Sequence, residues 1–123
     1  MRPLYHPSLD DITVEGILHA LGDPVRAHIL AKIVRADGAQ TCSAFLEVSD
    51  RHIPKSTLSQ HFKALREAGL IRSERKGVEL HNTPRCQEIS ARFGPLLNAV
   101  LAAHLAQAQR QAATHKTRRI KRA

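Results

Sequence analysis

A chain of 123 residues, 42% of them hydrophobic, has room for one domain with a core and excludes a second domain of similar size. With no tryptophan, one tyrosine and three phenylalanines, that core has to be aliphatic, and Leu, Ile, Val and Ala recurring at helical spacing point to a mainly α protein. Two cysteines, Cys42 and Cys86, are too few for a disulfide framework, no apolar run reads as long enough to cross a bilayer, and Met1 to Pro7 lacks the apolar stretch of a signal peptide, so the expected compartment is the cytoplasm.

The net charge of +8 is unevenly distributed. Residues 1–50 carry four Lys/Arg against seven Asp/Glu, and residues 51–85 carry eight against three. Residues 86–109 hold one of each, and residues 110–123 hold six cations and no acid. Positive charge gathered on one central segment and on the tail is the footprint expected of a partner such as double-stranded DNA.

In chain order, residues 1–12 read as an N-terminal arm broken by two prolines. Thr13 is placed to cap a helix in which Val14, Ile17, Leu18 and Leu21 keep one face apolar, ending at Gly22. Asp23-Pro24 has the form of an N-cap followed by proline at the first helical position, and Val25, Ile29 and Ile33 supply the next stripe until Asp37-Gly38. Gln40 to Val48 reads as about two helical turns capped by Thr41 or Ser43, and Ser49 to Pro54 as a turn.

Lys55 to Gly69 is the best-marked stretch. Leu58, Phe62 and Leu65 fall at i, i+4 and i+7, Ser56 is placed to cap, and Gly69 to stop the helix in the left-handed conformation. The opposite face presents Ser56, Thr57, Ser59, Gln60 and Lys63: hydroxyls, an amide and a cation, the groups that suit base edges and phosphates in a major groove. A short helix, a turn and this second helix make a helix-turn-helix. Next, Leu70–Arg75 and Val78–Thr83 flank Lys76-Gly77 as a β-hairpin, with Arg72, Arg75 and Lys76 expected to crowd one end as a phosphate-binding wing. Pro84 reads as opening a short polar helix that Gly94-Pro95 interrupts. A terminal helix follows, with Leu97, Val100, Leu101, His104 and Ala108 in a stripe. Lacking a later element to pack on, it is expected to bury this stripe against Val14, Ile17 and Leu18 of the first helix and against a second copy of itself, giving a two-fold homodimer. The domain is bounded at 13–113. Residues 114–123 form a basic tail without apolar period, expected to be disordered.

Two stretches, Leu-Gly-Asp-Pro-Val-Arg-Ala-His-Ile-Leu at 21–30 and Lys-Ser-Thr-Leu-Ser-Gln-His-Phe-Lys-Ala-Leu-Arg-Glu-Ala-Gly-Leu-Ile at 55–71, resemble the signature segments of the ArsR/SmtB repressors, and the resemblance covers roughly residues 13–105. It implies a mainly α, winged helix-turn-helix homodimer, paired through its terminal helices, that sits on an inverted-repeat operator until an effector releases it. On this resemblance DNA is read by Ser56, Thr57, Ser59 and Gln60, with Lys55 adding a phosphate or guanine contact.

The effector sites best known in that family are incomplete in this chain. Arsenic and lead sensors carry a Cys-x-Cys pair before the recognition helix, where this chain has Cys42 followed by Ser43 and Ala44. Zinc and nickel sensors use the last helix. His104 and His115 have the right separation, but Ala102 and Arg118 stand where further ligands belong, leaving these two histidines as weak metal candidates; no cofactor is assigned. Cys42 and Cys86 read as inert thiols, His104 as a dimer-interface residue, and Arg26 as pairing with a nearby acid. The effector, if a small molecule, is unidentified. No nucleophile, histidine and orienting acid occur at a recognisable spacing, and no Gly-rich phosphate loop is present, so an enzyme is not expected. The alternatives to a DNA-reading repressor are a winged-helix protein-interaction module and a metal-responsive repressor using His104 and His115.

Overall fold

The computed structural model describes residues 4–36, 38–45, 47–48 and 51–122, with side chains for all of these except 43, 47, 48, 51, 115 and 119–122. The four α-helices are α1 (Val14–Leu21), α2 (Pro24–Arg35), α3 (Lys55–Glu67) and α4 (Cys86–Arg122). The strands are β1 (Gln40–Thr41), β2 (Glu47–Val48), β3 (Arg51–His52), β4 (Ile71–Lys76) and β5 (Glu79–Pro84). β4 and β5 form an antiparallel hairpin, and β1 adds to the outer side of β5 to give the order β1-β5-β4. The mainly α architecture with a small hairpin wing matches the sequence reading.

The helix starts follow from their caps. Thr13 Oγ1 accepts from the Gly16 amide at 3.0 Å, and Asp23 Oδ1 accepts from the Val25 and Arg26 amides at 2.8 and 3.3 Å, with Pro24 at the first position. α3 starts differently from expectation. It begins at Lys55, its N-cap is Pro54, whose carbonyl accepts from Leu58 N at 2.9 Å, and Ser56 lies inside the first turn instead of capping it. The end is as expected: Leu70 N donates to Leu65 O at 3.0 Å and Gly69 N to Arg66 O at 3.1 Å, with Gly69 at φ 86°. These two bonds form a Schellman motif, which turns the chain directly into β4.

The core joins Ile17 and Leu21 of α1, Ile29, Leu30 and Ile33 of α2, Leu58, Phe62 and Leu65 of α3, Ile71 of β4, and Ile89, Phe93 and Leu97 of α4. Burial of each large side chain contributes about 1.5–3 kcal/mol, so the three α3 residues are what hold that helix to the body. Phe45 and Phe62 meet edge to face, ring centres 5.5 Å apart.

Five further expectations are corrected. Cys42–Phe45 is a single 3-10 turn, not two turns of α-helix. Gln40–Thr41 is drawn into the sheet against β5, and Glu47–Val48 pairs with Arg51–His52, leaving too few residues for a helix between them; Ser49 and Asp50 of the expected turn lie outside the described residues. Pro84 closes β5 instead of opening a helix. α4 runs unbroken through Pro95 to Arg122, so neither the interruption at Gly94-Pro95 nor an irregular tail from residue 114 is present in the described backbone. Ala, Gln and Arg, which dominate residues 102–113, are strong helix formers that need no buried face to favour this conformation. Finally, by length and composition Cys86–Arg118 is apolar enough to span a membrane, contrary to the sequence reading, and only 17% of its most apolar window is buried in the chain. Its inner residues Leu96, Leu97, Val100 and Leu101 pack on the core.

Candidate nucleic-acid interface

α3 is held by Leu58, Phe62 and Leu65, which are at most 2% exposed, and this forces its other face outward. Lys55, Ser56, Thr57, Ser59, Gln60 and Lys63 are all exposed. Lys63 Nζ lies 3.9 Å from Glu67 Oε1, a loose surface pair that leaves the cation open to water. The first turn adds its own unsatisfied amides, which with the helix dipole favour a negatively charged oxygen at this end.

The wing rises from the end of α3. Lys76 pairs with Glu79, so the turn residues are Gly77, at φ 66°, and a fully exposed Val78, one position later than the Lys76-Gly77 turn expected from the sequence. Arg75 and Lys76 are exposed beside this tip. Arg72 is not with them. It stands opposite Thr83 near the base, and its guanidinium grips Glu88 of α4 with two bonds of 3.1 and 2.8 Å. That bidentate pair holds the Glu88 carboxyl below its ordinary range, the bond from Arg72 being the largest cause, and it neutralises the cation that the sequence assigned to phosphate binding.

The sequence reading missed the polar residues that lock α3 to the wing. Arg66 of α3 donates from Nη1 to Ser73 Oγ at 3.3 Å, Ser73 Oγ donates to Asn82 Oδ1 at 2.7 Å, and Asn82 Nδ2 donates to Gln40 O at 2.9 Å. Asn82 is fully buried. The only signal in the sequence was a lone Ser and a lone Asn at inward positions of facing strands. The N-terminal arm also takes part. Ser73 N donates to His6 Nε2 at 3.0 Å, Arg85 donates to Pro7 O at 2.9 Å, and Arg92 Nη2 donates to Asp10 at 3.1 Å. Burial, with Arg72, Arg66 and Arg85 nearby, pushes the His6 imidazole below its ordinary value, in keeping with a ring nitrogen that accepts a backbone N–H.

The remaining candidates fall elsewhere. Val14 and Leu18 are exposed on α1, whereas Ile17 and Leu97 are buried in the chain's own core and Val100 and Leu101 are half-buried against it. His104 Nε2 lies 2.7 Å from Leu21 O, where it caps the end of α1 within the same chain. The side chain of His115 is outside the described residues, and among the described residues no group of three metal-ligating side chains converges. Cys42 and Cys86 are free, and burial is the main cause pushing both thiols up, which makes them poor nucleophiles at neutral pH. Arg26 lies 3.8 Å from Asp23, close to the pairing expected of it.

A helix-turn-helix domain family model matches residues 21–74, the span from the end of α1 through most of β4. Over 64 residues the chain is 38% identical to the HTH-type transcriptional repressor SmtB of Mycobacterium tuberculosis, in both the CDC 1551 and H37Rv strains. Residues 21–74 are thus similar to a helix-turn-helix domain. The aligned part is 52% of this chain and 44% of each repressor, so less than half the length of these curated relatives is matched. In fold, the chain resembles the ArsR-like transcriptional regulator from Rhodococcus sp. RHA1, with a TM-score of 0.52 and 24% identity over 82% of this chain and 91% of that one.

Proposed function

We propose that this chain is a sequence-specific DNA-binding transcriptional repressor, acting in the cytoplasm as a homodimer on an inverted-repeat operator. The observation that carries the reading is the division of α3: Leu58, Phe62 and Leu65 wholly inward, Ser56, Thr57, Ser59 and Gln60 wholly outward at the positive end of the helix, with Arg75 and Lys76 exposed on the adjoining wing. Lys55 and Lys63 add phosphate contacts, and Arg72, tied to Glu88, positions the wing instead of touching DNA.

Dimerisation is supported by what the single chain leaves uncovered. Val14 and Leu18 of α1 are 43% and 47% exposed, and Ala99, Ala102, Ala103 and Ala106 make an exposed small-residue face on α4. A two-fold through these surfaces sets the two α3 helices about one DNA turn, roughly 34 Å, or a multiple apart. Ile17, Leu97 and His104, engaged within the chain, leave the interface set.

Selection of bound fragments from genomic DNA at moderate salt tests the reading. A recurrent inverted repeat, lost or relaxed at defined positions in Gln60→Ala, is expected. No enriched motif would favour a protein-interaction module built on the same fold.

A further inference from the structure

α2 and the distal half of α4 lie side by side without closing completely, and between them runs a cleft of about 350 Å³. Its two walls differ. From α2 it receives His28, Lys32 and Arg35, one helical turn apart along the same face, and from α4 it receives Leu101 and Leu105, together with Gln107 and with His104, whose Nε2 is already engaged with Leu21 O. Among the described residues no carboxylate lines it. The volume lies in the range of small-molecule sites, and a basic rail facing an apolar wall is complementary to a ligand with one anionic head and a hydrocarbon body.

We propose that this cleft binds a small amphipathic carboxylate. The carboxylate sits against Lys32 and Arg35, and the apolar body lies along Leu101 and Leu105. His28 lines the same cleft, one helical turn before Lys32. Burial and the two neighbouring cations keep its imidazole below the ordinary value, so the ring is neutral and donates one N–H without adding charge. The dipole of α2 explains why cations favour its last turn, but it does not require them to share a cavity with leucines of another helix. The site's place in the fold gives it a use. α2 packs against α3 and β5, and α4 carries the face assigned to the second copy, so an occupant wedged between α2 and α4 acts on the angle between reading head and dimer. The regulatory part of this inference rests on the repressor reading above, whereas the binding part does not.

The test uses the full chain, with sodium octanoate as probe and 1-octanol and octylammonium as its neutral and cationic counterparts. Titration is followed by the methyl signals of Leu101 and Leu105 and the ring signals of His28. Saturable shifts with octanoate, weaker by about tenfold for octanol, and a similar loss for octanoate in Lys32→Gln/Arg35→Gln, are expected. Circular dichroism confirms that this surface variant folds. Equal response to octanoate and octanol, no saturation, or octanoate binding unchanged in the variant would overturn the site. So would a dimer that closes the cleft, seen as Leu105→Glu giving monomers while octanoate leaves the wild-type signals unmoved. DNA affinity is then measured with and without octanoate. Octanoate binding without any DNA binding would remove the repressor reading and leave the site standing, and DNA binding indifferent to bound octanoate would overturn its regulatory role.

Discussion

Ser73 donates its hydroxyl hydrogen to Asn82 Oδ1 at 2.7 Å in the interior of the wing, and through this bond β4 is fastened to β5 from the side chains as well as the backbone. Asn82 in turn donates to Gln40 O and is fully buried. Asn82→Ala would remove the acceptor of the Ser73 hydroxyl hydrogen and the side-chain donor to Gln40 O, a cost of about 1–3 kcal/mol. The expected outcome is a lower urea midpoint with an unchanged slope. Asn82→Asp, able to accept from Ser73 but not to donate to Gln40, should fare no better at neutral pH.

Gly69 and Ile12 make the second prediction. Gly69 sits at φ 86° in the turn after α3, and a Cβ added there would overlap the Ile12 side chain. The left-handed conformation alone costs a non-glycine residue roughly 1–2 kcal/mol, and the overlap adds to it. Gly69→Ala should therefore destabilise by about 2–3 kcal/mol, measured by denaturant unfolding. Because the clash has one named partner, Ile12→Ala/Gly69→Ala should lose less than the two single changes added together. Strict additivity would show that the backbone alone sets the cost.

How much of this was legible in the sequence depended on whether the deciding force was local. Thr13, Asp23-Pro24 and Gly69 act within four residues of themselves, and the boundaries they imply for α1, α2 and the end of α3 are the ones observed. The stripe Leu58, Phe62, Leu65 likewise marked the buried and exposed faces of α3, the exposed one being the face proposed to read DNA. Gln40 and Thr41 were misread because their partner, β5, lies some forty residues away and no local spacing announces it. Arg72 was misplaced for the same reason: the sequence shows a cation in a basic hairpin, and only packing brings Glu88 of the next helix against it. The role of the arm was illegible altogether, since His6 meets Ser73 across a separation of 67 residues.

The contact between His6 and Ser73 N predicts a pH effect. In the folded chain the imidazole is held below its usual 6.5, so the neutral form is the one that folding favours. A group depressed in this way stabilises above its unfolded value and loses that contribution as pH falls through the folded one. Wild type should therefore lose stability relative to His6→Ala as pH falls below about 6.5, with little change in that difference above it. The Ser73 amide resonance should move in step with the His6 ring. A His6 ring titrating at or above 6.5 would show that the arm does not dock as described.

The wing separates its three arginine and lysine positions by function, and DNA binding as a function of salt can tell them apart. Arg75 and Lys76 stand free beside the tip, whereas Arg72 is neutralised by Glu88 at the base. Each phosphate contact contributes about one unit to the slope of log affinity against log salt, so Lys76→Ala and Arg75→Ala should each flatten that slope by about 1 and weaken all sequences alike. Arg72→Ala should leave the slope unchanged and instead loosen the junction of β4 and α4, seen as faster amide exchange in the hairpin. A slope that falls by about 1 in Arg72→Ala would mean that DNA takes this guanidinium from Glu88 on binding, and the wing base would then belong to the interface.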